Sequence, residues 1–296
     1  MSTLDFLTLE ARRDLGTAFL DLAQGFQRVL EGAATPPPRV GGRAVVFASQ
    51  QPGSWTWIDA DPVKNAQDTA ILTINSGLDH IEALASILRR PANIATANAT
   101  LIRGVIEALG RGHYLLSSPT ALELCRRDAW LTWNDLPPTR FVSEDETLAT
   151  MGAPERISTR QFMDQLGADL VRNGPNTGKT GPSYTDLSST LIDESGVGKG
   201  RAVYAHLAGI AHGASLHLHT FFQEEKPTDD PNEPGFYRIG INTNMATIYA
   251  MTVVFAVQTL AEDLFVYFGL TVQDRERWEG CRRRVHGRMQ ALLEGS

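Results

Sequence analysis

Apolar side chains recur every three or four positions over most of this chain, and the recurrence is broken by proline and glycine. Between Leu7 and Leu30, the residues Leu15, Phe19, Leu22, Phe26 and Leu30 share one face at helical spacing. That pattern predicts an N-terminal amphipathic helix over 7–31, ended by Gly32 and the run Pro36 to Pro38. Asp61 and Pro62 open a second helix, with Pro favoured in a first turn. It carries Ile71, Ile74, Leu78, Ile81 and Leu88 and stops before Pro91. A third helix is predicted over 96–116. A fourth covers 120–136, with Pro119 in its first turn, and stops at Pro137 and Pro138. Further helices are predicted from Ser158 or Thr159 to about Asn173, over 185–195, over 244–268 and over 272–293. Residues 139–158 read as a polar connection, and 224–235 as an acidic, proline-rich loop. Residues 43–58 differ: Val45 to Ala48 and Trp55 to Ile58 could pair as a short hairpin or form a loop over the core.

The stretch Arg201 to Phe222 holds four of the seven histidines and many small residues. It reads as one buried helix entered from Gly196, Gly198 and Gly200. At about 100° per residue, Arg201, Tyr204, Ala205, Ala208, His212, Ser215 and His219 would share a face. Glycine inside a helix costs about 1 kcal/mol against alanine, so Gly209 and Gly213 imply close approach by neighbouring helices.

Long helices with almost no strand signal predict an all-α fold of eight or nine helices, in one domain spanning 1–296. Its core lies within 62–268. It is built from the second, third, fourth, histidine-rich and Met245–Phe268 helices, with the helices 7–31 and 272–293 packed on it.

Composition narrows the partners. The net charge of -7 argues against a protein that coats nucleic acid. Cys125 and Cys281 are too few for a disulfide framework and have no metal-binding spacing. The N-terminal residues have no basic stretch followed by an apolar one, so no signal peptide is read. Met245–Val257 is too short and too soon interrupted to span a bilayer. The expectation is a cytoplasmic protein without membrane association or cofactor.

Polar residues on otherwise apolar helices are the candidates for chemistry. Arg103, Glu107 and Arg111 follow one another at four-residue steps among Leu101, Ile102, Val105, Ile106 and Leu109. Glu107 can pair with either arginine. With Tyr204 and His212 they are predicted to form a buried polar cluster that serves packing or holds a small-molecule or protein partner. Arg201 and His206 fit R-x4-H, the motif of metal-independent HEPN-type ribonucleases. There His206 would be the general acid or base, and Arg201 would steady phosphate charge. This second reading would make RNA the substrate. A third is a metal site drawing on Asp79, His80, Glu82, Glu107, His113 and His212, although no Glu-x-x-His pair is present. The sequence assigns no metal ligands. Gly178-Lys179-Thr180 departs from a phosphate-binding loop, because Asn173 stands where a glycine is needed and a helix precedes it. The arginines of 272–293 read as a solvated face or a partner contact.

Four segments carry a resemblance: 101–116 (LIRGVIEALGRGHYLL), 122–133 (LELCRRDAWLTW), 182–196 (PSYTDLSSTLIDESG) and 202–213 (AVYAHLAGIAHG). Together they resemble a group of helical actinobacterial proteins with R-x3-E-x3-R, P-S-x-T-x-L and Y-x2-L-S-x2-A-H-G motifs. The likeness spans about 62–268. It departs at Gly110, Gly112 and Ala208, where Ala, Ala and Ser are common. It matches at Arg103, Glu107, Arg111, Tyr204, His212 and Gly213, and implies no particular activity. A more distant likeness to HEPN bundles is fold analogy.

Overall fold

The computed structural model describes residues 6–34, 39–50, 52–56, 61–92, 95–136, 159–174, 181–225 and 236–294. These hold helices α1 (Leu9–Ala34), α2 (Arg43–Ala48), α3 (Pro62–Leu88), α4 (Ala95–Leu116), α5 (Ala121–Asp135) and α6 (Thr159–Asn173). They continue with α7 (Tyr184–Glu194), α8 (Gly200–Ala211), α9 (Ser215–Leu218), a 3-10 turn (His219–Phe221), α10 (Thr243–Phe268) and α11 (Val272–Glu294). Strands β1 (Phe222–Glu225) and β2 (Phe236–Ile239) form an antiparallel ribbon with Phe222 opposite Ile239. The fold is all-α apart from this ribbon. The described residues contain eleven α-helices, against eight or nine expected. Pro36 to Pro38, Trp57 and Ile58, the polar connection, Gly178 to Thr180 and most of the acidic loop lie outside the described residues.

Local chemistry sets most boundaries. The Asp61 carboxylate accepts from the Lys64 backbone N–H at 3.0 Å, with Pro62 in the first turn of α3. Ser183 and Asp186 form a reciprocal capping box on α7. Thr120 caps α5 by accepting from Glu123 N–H, so Pro119 precedes that helix rather than entering it. Asn242 caps α10, which ends at Gly269 in the left-handed region (φ 65°).

Two expectations are corrected. The hairpin over 43–58 does not form, because residues 43–48 are the helix α2. Ala44 and Phe47, three apart, both turn into the core, and Phe47 meets the Tyr267 ring edge-on at 5.7 Å. The single helix over 201–222 is also broken, because α8 stops at Ala211. Gly213 adopts φ 71°, its N–H donates to Ile210 O at 2.9 Å, and Ala214 N–H donates to Gly209 O at 2.8 Å. These two bonds are a Schellman stop. Ser215 and His219 therefore leave the face that carries Tyr204.

The core is organised around α4, which packs on α3, α7, α8 and α10. Glycines allow the closest crossings. A Cβ on Gly112 would lie 2.5 Å from Ile74 Cγ1, and one on Gly77 would lie 2.8 Å from Leu109 Cδ2. One hydrophobic cluster runs from Leu15 of α1 to Val285 of α11, so α1 and α7 are as much part of the core as the helices named from sequence. On α5, Ala129 joins Phe162 and Leu166 of α6 in a smaller cluster. Among the described residues α10 is the one helix long and apolar enough to cross a membrane, and 61% of its most apolar window is buried in the bundle.

Candidate functional site: a polar network between two helices

Arg103, Glu107 and Arg111 follow one stripe of α4, and α8 and α7 lie against that helix. Tyr204 of α8 is buried, and its hydroxyl donates to Glu107 Oε1 at 2.6 Å. Arg103 Nε donates to the same oxygen at 2.8 Å. The Arg103 guanidinium carbon lies 5.8 Å from the Tyr204 ring centre, a cation–π arrangement. Arg103 Nη1 lies 3.2 Å from Nε2 of His212, the residue that closes α8. A guanidinium only donates, so this Nε2 accepts and the neutral His212 ring carries its proton on Nδ1.

The structure thus brings Arg103, Glu107, Tyr204 and His212 into one hydrogen-bonded chain. Of the four it buries only Tyr204. The Arg103 and Glu107 side chains are 23% and 29% exposed, and His212 is exposed. The reason is the early end of α8, which leaves His212 on the outer rim. Burial and the bond to Glu107 push the Tyr204 phenol up from its ordinary value. For Arg103, burial acts to lower the guanidinium, and the Glu107 carboxylate more than offsets it, so the net direction is up.

Arg111 is not part of this network. It reaches Asp135 of α5, which also accepts from the Tyr184 hydroxyl of α7, and its guanidinium carbon sits 5.2 Å from the Tyr184 ring centre. The stripe therefore serves two separate arginine–tyrosine pairs, one against each neighbouring helix.

Arg201 is exposed at the start of α8. His206 is half-buried, with Nδ1 3.2 Å from Nδ1 of His217 and its ring 6.2 Å from that of Tyr249. Burial and then the nearby His217 lower its pKa. Its Nε2 and the Tyr249 hydroxyl are buried without a hydrogen-bond partner among the described residues. No hydrogen bond or ion pair joins Arg201 to His206 among these residues.

The other histidines are dispersed. His80 Nδ1 contacts Ser76 O at 2.6 Å, and its ring occupies the space left by Gly104. His113 Nδ1 contacts Asp263 Oδ2 at 2.6 Å and its Nε2 contacts Glu194 Oε2 at 2.9 Å. Burial acts to lower this imidazole, but the two carboxylates win and its pKa is raised. Among the described residues no group of three or more His, Cys, Asp or Glu could hold a metal ion. Three of the six arginines of α11 pair with carboxylates: Arg275 with Glu262, Arg282 with Glu279 and Arg288 with Asp21.

Sequence reasoning missed several buried polar groups, Asp128 and Arg12 among them. Asp128 of α5 is fully buried, accepts from Asn65 at 2.7 Å, and has its carboxyl pushed up to about 6 by burial. Arg12 of α1 donates to the carbonyls of Arg90, Pro91 and Ala92 just past the end of α3. Neither has a short-range signal, because its partner is at least 60 residues away. His113 did have one: it continues the stripe Ile102, Ile106, Leu109, which is the buried side of α4.

No protein-family model, curated protein or solved structure matches the chain.

Proposed function

We propose that this protein acts by binding rather than by catalysis. Its recognition element is the Arg103–Glu107–Tyr204–His212 network, and the feature it recognises is an anionic group on a small-molecule or protein partner. The observation behind the reading is the Arg103–His212 contact at the rim. Arg103 is held in place by Glu107 Oε1, and its guanidinium ends on a neutral, exposed imidazole. A carboxylate or phosphate in place of that imidazole would gain a charge-assisted bond. The rigid mount is the Tyr204–Glu107 bond between α8 and α4. The ribonuclease reading has less support, because Arg201 is exposed and His206 is engaged with His217 and Tyr249.

Native mass spectrometry of the purified protein, read against its denatured mass, tests the proposal first. Retained mass of an anionic molecule that is lost in Arg103→Ala supports it. Phosphate and succinate should also move the His212 ring resonances of the wild type. An unliganded spectrum together with unmoved His212 resonances would remove the proposal. Metal-independent RNA cleavage that disappears in His206→Ala would replace it with the ribonuclease reading.

A further inference from the structure

A second candidate site lies away from the polar network, where α1, α10 and α11 meet. A half-open cavity of about 240 Å³ is walled by Leu15 of α1, by Ala246, Ala250 and Val254 of α10 and by Met289 of α11. The Thr247 hydroxyl on its α10 wall is turned back to Thr243 O at 2.9 Å, which leaves that wall apolar. The strap before α1 closes one end, with Leu7 N–H donating to Ile241 O at 2.9 Å. Met251, an apolar residue, lines the cavity yet is 42% exposed.

The polar groups on the α11 side are His286 and Gln290, one helical turn apart. The Gln258 amide nitrogen lies 2.6 Å from His286 Nε2. An amide nitrogen only donates, so Nε2 accepts and Nδ1 of the neutral ring carries the proton. The ring is steadied edge-on by Phe255 at 6.0 Å. Residues 282–290 hold four arginines and no carboxylate; Arg282 and Arg288 pair with Glu279 and Asp21, and Arg283 lies three residues before His286. An apolar cavity with an N–H donor at its mouth, on a helix where Arg283 stands one turn from that donor, fits a ligand with an aliphatic tail and an anionic head. Size sets the tail length. An apolar cavity of about 150 Å³ takes benzene, so one of 240 Å³ takes about nine or ten carbons.

We propose that this cavity binds a medium-chain carboxylic acid, with the chain between α1 and α10 and the carboxylate at His286. The inference is independent of the polar network. Isothermal titration of the full chain with sodium octanoate, nonanoate and decanoate, and with decanol, tests it. The expected result is saturable one-to-one binding, weakening about fourfold for each methylene removed. Decanol should bind about tenfold more weakly than decanoate. His286→Ala should weaken decanoate to the level of decanol and leave decanol unchanged. Ala250→Phe should abolish binding of both by filling the cavity. Because that variant risks unfolding, the chain-length series in the wild type stands as the second measurement. Absence of saturation up to about 1 mM decanoate, or affinity that does not vary with chain length, would overturn the proposal. Equal weakening of acid and alcohol in His286→Ala would overturn the placement of the head.

Discussion

Glu107 Oε1 accepts from both Arg103 and Tyr204, so one carboxylate oxygen joins α4 to α8. Tyr204 is buried, so water can replace this bond only in part. Tyr204→Phe should therefore cost about 1–2 kcal/mol, the value of a hydrogen bond to a charged group with some solvent access. Urea unfolding followed by circular dichroism measures it. A loss below about 0.5 kcal/mol would mean that α8 is held by apolar packing alone. The tyrosine was legible in sequence because it is a polar residue on an otherwise apolar helix. The choice of Arg103 over Arg111 was not, since both stand four residues from Glu107 and the same local rule allows either.

At the scale of elements, small residues decide how closely helices cross. Gly112 and Ile74 mark the contact of α4 with α3, where an added Cβ would come within 2.5 Å of Ile74 Cγ1. Gly112→Ala gains about 1 kcal/mol of helix propensity. It must also displace a fully buried isoleucine, and overpacking costs typically 1–3 kcal/mol. The expected outcome is a net destabilisation of about 1 kcal/mol, read as a lower urea midpoint at an unchanged slope. A stabilised variant would show that the α3–α4 seam has room to open. Helix ends follow a different logic. Asp61, Ser183 and Asn242 cap from within their own turns, and the stop at Gly213 needs only its own backbone. The end of α3 is unlike these, because Arg12 of α1 covers the carbonyls beyond it.

For the whole molecule, buried ionisable groups set how stability varies with pH. The Asp128 pKa is raised from 3.8 to about 6, so the folded state holds a proton that the unfolded chain releases. Its contribution is full below about pH 3.8 and is lost as pH rises to about 6, an effect of about 3 kcal/mol. The raised His113 acts in the same sense. Its contribution is full below 6.5 and is lost as pH rises through the folded value, loosening a junction of α4, α7 and α10. His206, whose pKa is lowered, acts oppositely and disfavours the fold as pH falls below 6.5. Asp128→Asn isolates one of these groups. The unfolding free energy of the variant relative to wild type should rise by about 2 kcal/mol between pH 4 and pH 7. A difference independent of pH would mean that Asp128 ionises as readily in the folded protein as in the unfolded chain.

The sequence by itself determined what depends on neighbours within one or two turns. That covers the all-α class, most helix boundaries, the capping residues and the polar stripe on α4, because helical periodicity and capping act over four residues or fewer. Two local signals were there and were outweighed. Ala44 and Phe47 have the spacing of a buried helical turn, against the strand preference of Val45 and Val46, and Gly213 is a helix stop inside an apolar run. Only the tertiary structure decided what depends on how helices cross. It selected Arg103 as the partner of Glu107 and His212, set His113 between Asp263 and Glu194, and turned Arg12 onto the end of α3. It also left a cavity where α1, α10 and α11 do not close. Apart from Arg103–Glu107, these side-chain contacts join residues at least 78 positions apart, a range over which side-chain periodicity carries no information about distance.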